Sequence, residues 1–312
     1  MGYSFKRHEA VRKGVRRVIN GLVRGTLKRF HGPELAKAIH RTRKSIKQIR
    51  AVMRLVRKRL PDGFYDERTD WLRKAARELA PVRDAQVRAG AIARMRLAGS
   101  CGRRELTSAT WQKELKRQSA QAARDFRRHG AEGKVRVWLK KVRSGPWRKL
   151  KLKGWDVIEE GLAVSYRAGR KAFKTAADSP TPENLHEWRK RVKDLWCQMR
   201  LLRPAWPQVL GPTANELEIL SEYLGDHHDL EAVVKAMESS HVAMDDSQTV
   251  VREQLCKRQS KIAHAALELG ARCYAEKTKV FTRILRSHWK EWRRRKGKES
   301  RNSSTSSKRR LA

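Results

Sequence analysis

The chain has 312 residues, with 74 Lys and Arg against 33 Asp and Glu, and a formal charge of +41. This length fits one large or two ordinary domains, and a hydrophobic content of 39% still allows a packed core, so wholesale disorder is not expected. So large a positive charge calls for a polyanionic partner: a nucleic acid, polyphosphate or an anionic membrane surface.

The cysteines and the hydropathy pattern indicate a reducing compartment. The four cysteines, at positions 101, 197, 256 and 273, form no CxxC pair, which predicts buried or incidental thiols rather than disulfides or a zinc site. No uncharged stretch approaches the ~18 residues that a membrane span needs, and the N-terminus lacks the apolar core of a signal peptide. We therefore expect a cytoplasmic protein with no membrane insertion.

Apolar residues recur with helical spacing along most of the chain. They predict a first helix around residues 11–22, a second that starts near Pro33 in the turn FHGPE, and a third around 71–79. Long polar helices are expected over 104–128 and 247–292. No run of alternating β-branched residues predicts a strand. The expected fold is all-α, built from antiparallel helices, and the Ser-rich basic end, residues 297–312, is expected to be a disordered tail.

Two stretches of the chain repeat each other. HRTRKSIKQIRAVMRLVR, residues 40–57, aligns with HEWRKRVKDLWCQMRLLR, residues 186–203. Identical polar residues stand at six aligned positions: His40/His186, Arg43/Arg189, Lys44/Lys190, Lys47/Lys193, Arg54/Arg200 and Arg57/Arg203. A second match follows in the same order: LAPVRDAQV (79–87) aligns with LGDHHDLEA (224–232) and pairs Arg83 with His228 and Asp84 with Asp229. We interpret this as an internal duplication and expect the halves to pack about a pseudo-two-fold axis, with the repeated helices facing each other.

Each repeated helix carries an apolar stripe beside a basic stripe. In the first helix the apolar stripe is Ile39, Thr42, Ile46, Ile49, Met53, Val56 and Leu60, and the basic one is His40, Arg43, Lys47, Arg50, Arg54 and Arg57. Consecutive helical residues are about 100° apart, so the basic stripe lies at the flank of a buried seam and predicts the wall of a groove. In the second helix Trp196 interrupts the basic stripe, and Trp188 lies in the apolar one.

A basic stripe of this kind favours a bound chain of phosphates. Like charges three or four residues apart cost roughly 0.2–0.5 kcal/mol per pair, and a stripe that occurs twice despite this cost is most simply explained by a polyanion that neutralises it. Arg, Lys and His placed about one turn apart can follow linear phosphates, and nothing is arranged to read bases. A solvated face on a very basic protein, or a nucleic-acid-binding surface, is the alternative.

Motifs for catalysis are absent from the sequence. His227-His228-Asp229 lacks a second cluster of metal ligands, and we favour a role for His228 like that of Arg83, with Asp84 and Asp229 orienting basic side chains or capping a helix. The Arg-His-Gly in RRHGAEG, residues 127–133, indicates a helix that ends at Gly130. There is no Walker loop, HExxH or nucleophile elbow. We expect no enzymatic activity, no metal and no cofactor.

The doubled motif His-x2-Arg-Lys-x2-Lys-x6-Arg-x2-Arg resembles the CHAD domain, the conserved-histidine α-helical domain. The resemblance covers residues 5–292 and implies two pseudo-symmetric helical bundles around a basic central channel that binds inorganic polyphosphate, with bacterial members associated with polyphosphate granules. It implies a single CHAD domain over 5–296, with halves of about 5–150 and 151–296. The catalytic triphosphate-tunnel domain that many relatives carry is not expected, because its E-x-E-x-K signature is lacking.

The resemblance also implies which residues contact phosphate. In the first half these are His40, Arg43, Lys44, Lys47, Arg50, Arg54 and Arg57, with Arg83 as a further candidate. In the second half they are His186, Arg189, Lys190, Lys193, Arg200 and Arg203, with His228, Arg167, Arg170 and Lys171 as further candidates; the last three lie on YRAGRKAF. The expected partner is inorganic polyphosphate, and weak, non-specific binding of nucleic acid is the alternative.

Overall fold

The structure, a computed structural model, describes residues 2–30, 34–97, 109–238 and 246–294. Every regular element in these ranges is helical, as predicted. The α-helices, in chain order, are α1 (Val11–Arg29), α2 (Leu35–Val56), α3 (Phe64–Glu78), α4 (Ala80–Leu97), α5 (Ala109–Arg128), α6 (Ala131–Arg143), α7 (Asp156–Asp178), α8 (Pro182–Leu202), α9 (Pro207–Glu238), α10 (Asp246–Cys273) and α11 (Thr278–Arg294).

Local sequence signals explain where several helices begin and end. At the start of α8, the Thr181 side-chain oxygen accepts a hydrogen bond from the backbone N–H of Asn184 (3.2 Å), and Pro182 occupies the first turn, where a missing N–H costs nothing. Between α5 and α6, Gly130 has a φ of 62°, a left-handed conformation that glycine adopts without strain. The predicted helix end at Gly130 is confirmed.

The apolar stripes of α2 and α8 form the centre of the core. All residues of the α2 stripe from Ile39 to Val56 are buried, and Leu60 packs against them. On α8 the corresponding stripe is buried as well: Leu185, Trp188, Val192, Leu195, Met199 and Leu202. Burial of side chains of this size stabilises the fold by roughly 1.5–3 kcal/mol each. The predicted 3-4 seam is therefore the feature that fixes the orientation of both helices.

α2 and α8 lie against each other and against α7. The side-chain amide of Gln198 on α8, fully buried, donates to the backbone carbonyl of Ala51 on α2 (3.3 Å) and to the Ser165 hydroxyl on α7 (2.9 Å). α7 crosses α2 so closely that a Cβ at Gly161 would lie 1.9 Å from the Leu55 carbonyl oxygen. Only glycine fits this crossing. On the other side of α8 lies α9, which also contacts α4 and α10.

Some details of the predicted elements need correction. The polar stretch 247–292 is divided between α10 and α11, which a turn separates. Asp84 lies within α4 and Asp229 within α9, so neither carboxylate caps a helix. The predicted turn at 31–33, residues 104–108, Cys101 and the predicted tail at 297–312 lie outside the described residues.

Three of the four cysteines lie in the described part of the chain. Cys197, Cys256 and Cys273 are free thiols. Among the helices that the structure describes, none combines the length and the apolar character that crossing a bilayer requires.

Candidate functional site

A cavity of about 820 Å³ lies between α2, α4, α8 and α9. We call it the four-helix cavity. Eight of the side chains that line it are basic candidates from the sequence: His40, Arg43, Lys44, Lys47, Arg83, Arg189, Lys193 and His228. The structure thus brings together residues from both copies of the repeat, which are separated by more than a hundred positions in the chain.

Lys47 and Lys193, which occupy the same position of the two repeats, are held close to other cations. Burial and the neighbouring charges of Lys47 and Arg189 lower the pKa of Lys193 to about 7. The Lys47 side chain is open to solvent in the cavity, although the helices of the cavity lie around it. Burial and the guanidinium groups of Arg189 and Arg43 lower its pKa to about 8. The wall formed by α2 and α8 is therefore a cluster of like charges that repel one another.

The histidines of the repeats lie in and beside the cavity. His40 lines it, and burial together with Arg83 and Lys44 lowers the pKa of its imidazole. His228 lines the cavity from α9, and its ring lies against that of His186, tilted by 36° and with 4.4 Å between the ring centroids. Burial and the adjacent His228 lower the pKa of His186 to about 4. These rings are neutral at pH 7 in the unliganded protein.

The opposite wall of the cavity is acidic, which the sequence analysis did not predict. Four carboxylates of α9 line it, at spacings that place them on one helical face: Glu218, Glu222, Asp226 and Asp229. Asp84 of α4 adds a fifth. Asp229 and Asp226 act electrostatically on Arg189 and oppose the lowering of its pKa by burial. The cavity is thus a site of mixed charge, with a basic wall on α2 and α8 and an acidic wall on α9.

Beyond Lys47, the basic stripe of α2 leaves the cavity and is neutralised by the protein itself. Arg54 forms an ion pair with Asp194 of α8, whose side chain is only 12% exposed. The guanidinium of Arg57 lies over the ring of Tyr65, 4.4 Å from its centroid, and is 3.8 Å from Asp66. These groups already have partners, so this end of the stripe differs chemically from the end in the cavity.

The basic stripe of α8 also leaves the cavity toward the end of the helix. Arg200 lies over the rings of Trp196 and Tyr3, at 5.1 and 5.4 Å from their centroids, and is outside the cavity. Arg203 is exposed at the end of the helix. We call Arg54, Arg57, Arg200 and Arg203 the paired end of the stripe, and Arg43, Lys47, Arg189 and Lys193 its cavity end.

Five other candidates do not line the cavity. Arg50 is half-buried between the two ends of the stripe, and Lys190 is exposed with an ion pair to the adjacent Glu187 at 3.0 Å. On α7, Arg167 and Lys171 are exposed, and the guanidinium of Arg170 donates to the backbone carbonyl of Tyr274 (3.1 Å). Their contact with phosphate, implied by the family resemblance, remains a prediction.

Trp196, the residue that interrupts the second basic stripe, contributes to the cavity. It lines the cavity at the point where the stripe turns away, with the Lys44 ammonium 5.7 Å from its ring centroid. The neighbouring Cys197 also lines the cavity, and burial raises the pKa of its thiol to about 12. This thiol therefore stays protonated at neutral pH. Among the described residues, no group of three or more His, Cys, Asp and Glu side chains is placed to hold a metal ion.

The acidic wall had a signal in the sequence. Glu218, Glu222 and Asp226 follow one another at intervals of four residues, which places them on one face of any helix. What the spacing does not indicate is that this face of α9 turns toward the basic wall rather than toward solvent. That orientation depends on the packing of α9 between α8, α10 and α4.

Comparison with known proteins identifies the family of the chain. The profile of the CHAD domain matches residues 21–238, which is more than half of the chain. A crystal structure of the CHAD domain from the plant Ricinus communis is similar over 92% of this chain and 93% of that one, with 14% sequence identity and a TM-score of 0.49. No curated protein sequence matches. The match of the family profile over most of the chain shows that the protein belongs to the CHAD domain family.

Proposed function

We propose that the protein binds inorganic polyphosphate in the four-helix cavity, along the wall formed by α2 and α8. The observation that carries the proposal is that basic side chains of both repeats line one cavity, where their crowding lowers the pKa of Lys47 to about 8 and that of Lys193 to about 7. Cations gathered so closely repel one another, and a polyanion that lies between them converts the repulsion into attraction. Charge-assisted hydrogen bonds of this kind contribute about 1.5–3 kcal/mol each.

Both copies of the motif contribute to the basic wall, one from α2 and the other from α8. We propose that the chain arose by internal duplication, with pseudo-symmetric halves and the cavity as their central groove. The proposal is supported by the matched positions of Lys47 and Lys193, and of Arg43 and Arg189, around one cavity. The imidazole of His40 is a further donor, because an adjacent phosphate raises the pKa of a histidine and favours its charged form.

The acidic wall of α9 restricts what can bind. A single phosphate chain can lie against the basic wall and keep its distance from Glu218, Glu222 and Asp226. A nucleic-acid duplex carries phosphates on both of its strands and would bring one of them against these carboxylates. A volume of about 820 Å³ suits a slender chain as well. Both features favour polyphosphate over duplex nucleic acid as the ligand of this cavity.

We further propose that the protein binds polyphosphate without cleaving it and associates with polyphosphate granules in the cytoplasm. The Cys197 thiol in the cavity, with a pKa of about 12, is a poor nucleophile at neutral pH. Granule association follows from the known behaviour of bacterial CHAD proteins together with the proposed ligand.

The experiment that tests the proposal is a calorimetric titration of the protein with polyphosphate of defined length, in ~150 mM salt because electrostatic binding depends on ionic strength. We expect saturable binding that duplex DNA displaces poorly. Incubation with divalent cations for several hours is expected to release no orthophosphate. Displacement of polyphosphate by an equal charge of DNA would contradict the specificity, and steady release of orthophosphate would show an enzyme.

A further inference from the structure

A second basic surface lies outside the four-helix cavity. Residues 133–155, which include most of α6 and the segment before α7, contain nine Lys and Arg and no Asp or Glu. α1 contributes seven more Lys and Arg with no acidic residue. Where these two parts meet lies a set of six side chains that we call the outer strip: Arg12, Lys13, Arg148, Lys149, Lys151 and Lys153. The described lining of the cavity contains none of them.

The segment that carries the outer strip is firmly anchored. Its apolar side chains all point into the core: Trp147, Leu150, Leu152 and Trp155 are 1–5% exposed. The Trp147 ring packs edge-on against Phe64 at 5.0 Å, and the buried Arg68 donates to the Ser144 carbonyl (3.1 Å). In contrast, Lys149, Lys151 and Lys153 are exposed. An irregular segment thus presents alternate lysines to solvent from a fixed backbone.

α1 completes the outer strip. The backbone N–H of Arg12 donates to the Leu152 carbonyl (3.3 Å), and its guanidinium donates to the carbonyl of Arg148. These bonds hold the start of α1, with the exposed Lys13, beside the lysines of the segment. Lys149, Lys151 and Lys153 alternate with the buried Leu150 and Leu152. The strip is therefore a row of exposed cations on the solvent side of the segment.

The outer strip differs from the cavity in having no acidic wall. In the part of the chain that the structure describes, no ion pair joins its six side chains to a carboxylate, whereas five carboxylates line the cavity. An open row of exposed lysines can approach a broad ligand from one side. A duplex, which the cavity disfavours, fits such a surface, because lysines contact phosphates as point charges without enclosing them.

A membrane surface is a poorer match. Binding to a bilayer interface relies on apolar side chains such as Trp, Phe and Leu that enter the headgroup region. The tryptophans and leucines of this segment are turned the other way, into the core.

Polyphosphate is also a poorer match for the outer strip. Its adjacent phosphates share an oxygen and lie closer together than alternate lysines, whereas a sugar separates the phosphates of a nucleic-acid strand. We propose that the outer strip binds the sugar–phosphate backbone of nucleic acid, without reading bases, independently of the cavity.

The test compares three variants of the full chain with the parent: two triple variants and one double variant. The outer variant is Lys149→Gln with Lys151→Gln and Lys153→Gln. A matched control removes the same charge from exposed lysines elsewhere: Lys257→Gln with Lys261→Gln and Lys279→Gln. The cavity variant is Lys47→Gln with Lys193→Gln. The probe is a fluorescently labelled duplex DNA of about 30 base pairs, titrated between about 50 and 200 mM salt, and polyphosphate binding is measured beside it.

The outer variant is expected to lose at least about tenfold in affinity for duplex DNA, and the slope of log K against log salt falls by about 2.7, which is 0.9 for each lost phosphate contact. Its polyphosphate binding stays within about twofold of the parent. The control and cavity variants keep duplex binding within about twofold. A parent that does not bind the duplex, or equal losses in the outer and control variants, would overturn the proposal. The proposal would also be overturned if the outer variant lost binding to phosphatidylserine vesicles but kept its binding to duplex DNA, because that result would indicate a membrane partner.

Discussion

The two ends of the basic stripe carry the same residue types at the same helical spacing, but they lie in different surroundings. At the cavity end, Lys47 and Lys193 are surrounded by further cations and have lowered pKa values. At the paired end, Arg54 has a carboxylate partner and Arg57 lies over an aromatic ring. Repulsion among like charges at the cavity end is unfavourable and suits that end to bind an anion, whereas the paired end already contributes to the fold.

Asp194 accounts for much of this difference. It is an acidic residue between the basic positions of α8, it is nearly buried, and it pairs with Arg54 across the contact between the two repeated helices. The first repeat has Gln48 at the corresponding position. The same helical spacing of basic residues is thus used in two ways, and Asp194 has no acidic counterpart at the matching position of the first repeat.

The largest expected effect comes from reversing charge at the cavity end. Lys47→Glu with Lys193→Glu removes two charge-assisted contacts and adds repulsion, so we expect polyphosphate affinity to fall by at least about 100-fold. The matched variant at the paired end, Arg57→Glu with Arg203→Glu, changes the same charge at exposed positions and is expected to cost less than about threefold. Isothermal titration calorimetry measures both.

Unfolding of the Lys47→Glu and Lys193→Glu variant would complicate this comparison, so circular dichroism melting accompanies it. The milder Lys47→Gln with Lys193→Gln removes both charges but keeps a polar side chain at each position, and it is expected to lose about tenfold in affinity with an intact fold. Equal losses at the two ends would mean that total charge, rather than the cavity, determines binding.

The second effect concerns stability. Asp194→Asn leaves Arg54 without its carboxylate partner in a half-buried site, and we expect the free energy of unfolding to fall by about 2 kcal/mol. Asp226→Asn, at an exposed position of the cavity, is expected to change it by less than about 0.5 kcal/mol. Urea denaturation of both variants checks this difference, and an equal response would remove the distinction between the two ends.

The third prediction concerns pH. The stability cost of Lys47 and Lys193 is expected to shrink as the pH rises, whereas the affinity for polyphosphate is expected to fall. Because the folded pKa values of Lys47 and Lys193 lie near 8 and 7, below the ordinary value of about 10.4, the unfolded chain binds more protons between about pH 7 and 10. These lysines therefore destabilise the fold fully below pH 7, and this cost disappears as the pH rises toward 10. We expect Lys47→Gln with Lys193→Gln to be more stable than the parent by on the order of 1 kcal/mol near pH 7, with no difference near pH 10.

Polyphosphate binding is expected to follow the opposite direction. The bound anion favours the charged lysines, so binding takes up protons and the affinity decreases from about pH 7 to 9. Calorimetry in two buffers that differ in ionisation enthalpy measures the proton uptake. Binding of constant affinity with no proton exchange across this range would show that neither lysine contacts the ligand.

The smallest effect is expected at the acidic wall. Glu218→Gln with Glu222→Gln removes two partly exposed like charges opposite the ligand, and we expect polyphosphate to bind about threefold more tightly. A control with the same charge change away from the cavity, Glu253→Gln with Glu276→Gln, is expected to have a smaller effect. Weaker binding in the cavity variant would indicate that the carboxylates take part in holding the ligand.

The helices and the seam could be predicted from the sequence because both depend on local periodicity. The 3-4 spacing from Ile39 to Val56 and from Leu185 to Leu202 identifies the buried faces of α2 and α8, which the structure confirms. The repeat also brought Lys47 and Lys193 into one candidate site, and both line one cavity.

The surroundings of each stripe could not be predicted in the same way. Arg43 and Arg54 occupy equivalent positions in the helical spacing of the basic stripe. Which of them faces the cavity depends on the helices that pack beside each turn of α2. The acidic wall on α9 and the ion pair of Arg54 with Asp194 are contacts between distant parts of the chain. Side chains on α7, such as Arg170, satisfied the family pattern but lie outside the cavity.

The most direct test of the central claim is a crystal structure of the protein with a short polyphosphate. We predict consecutive phosphates along the wall of α2 and α8, within hydrogen-bonding distance of Lys47 Nζ and Lys193 Nζ, with Arg54 still paired to Asp194. Phosphates bound at Arg57 and Arg203 or along the outer strip, with the four-helix cavity empty, would contradict the account.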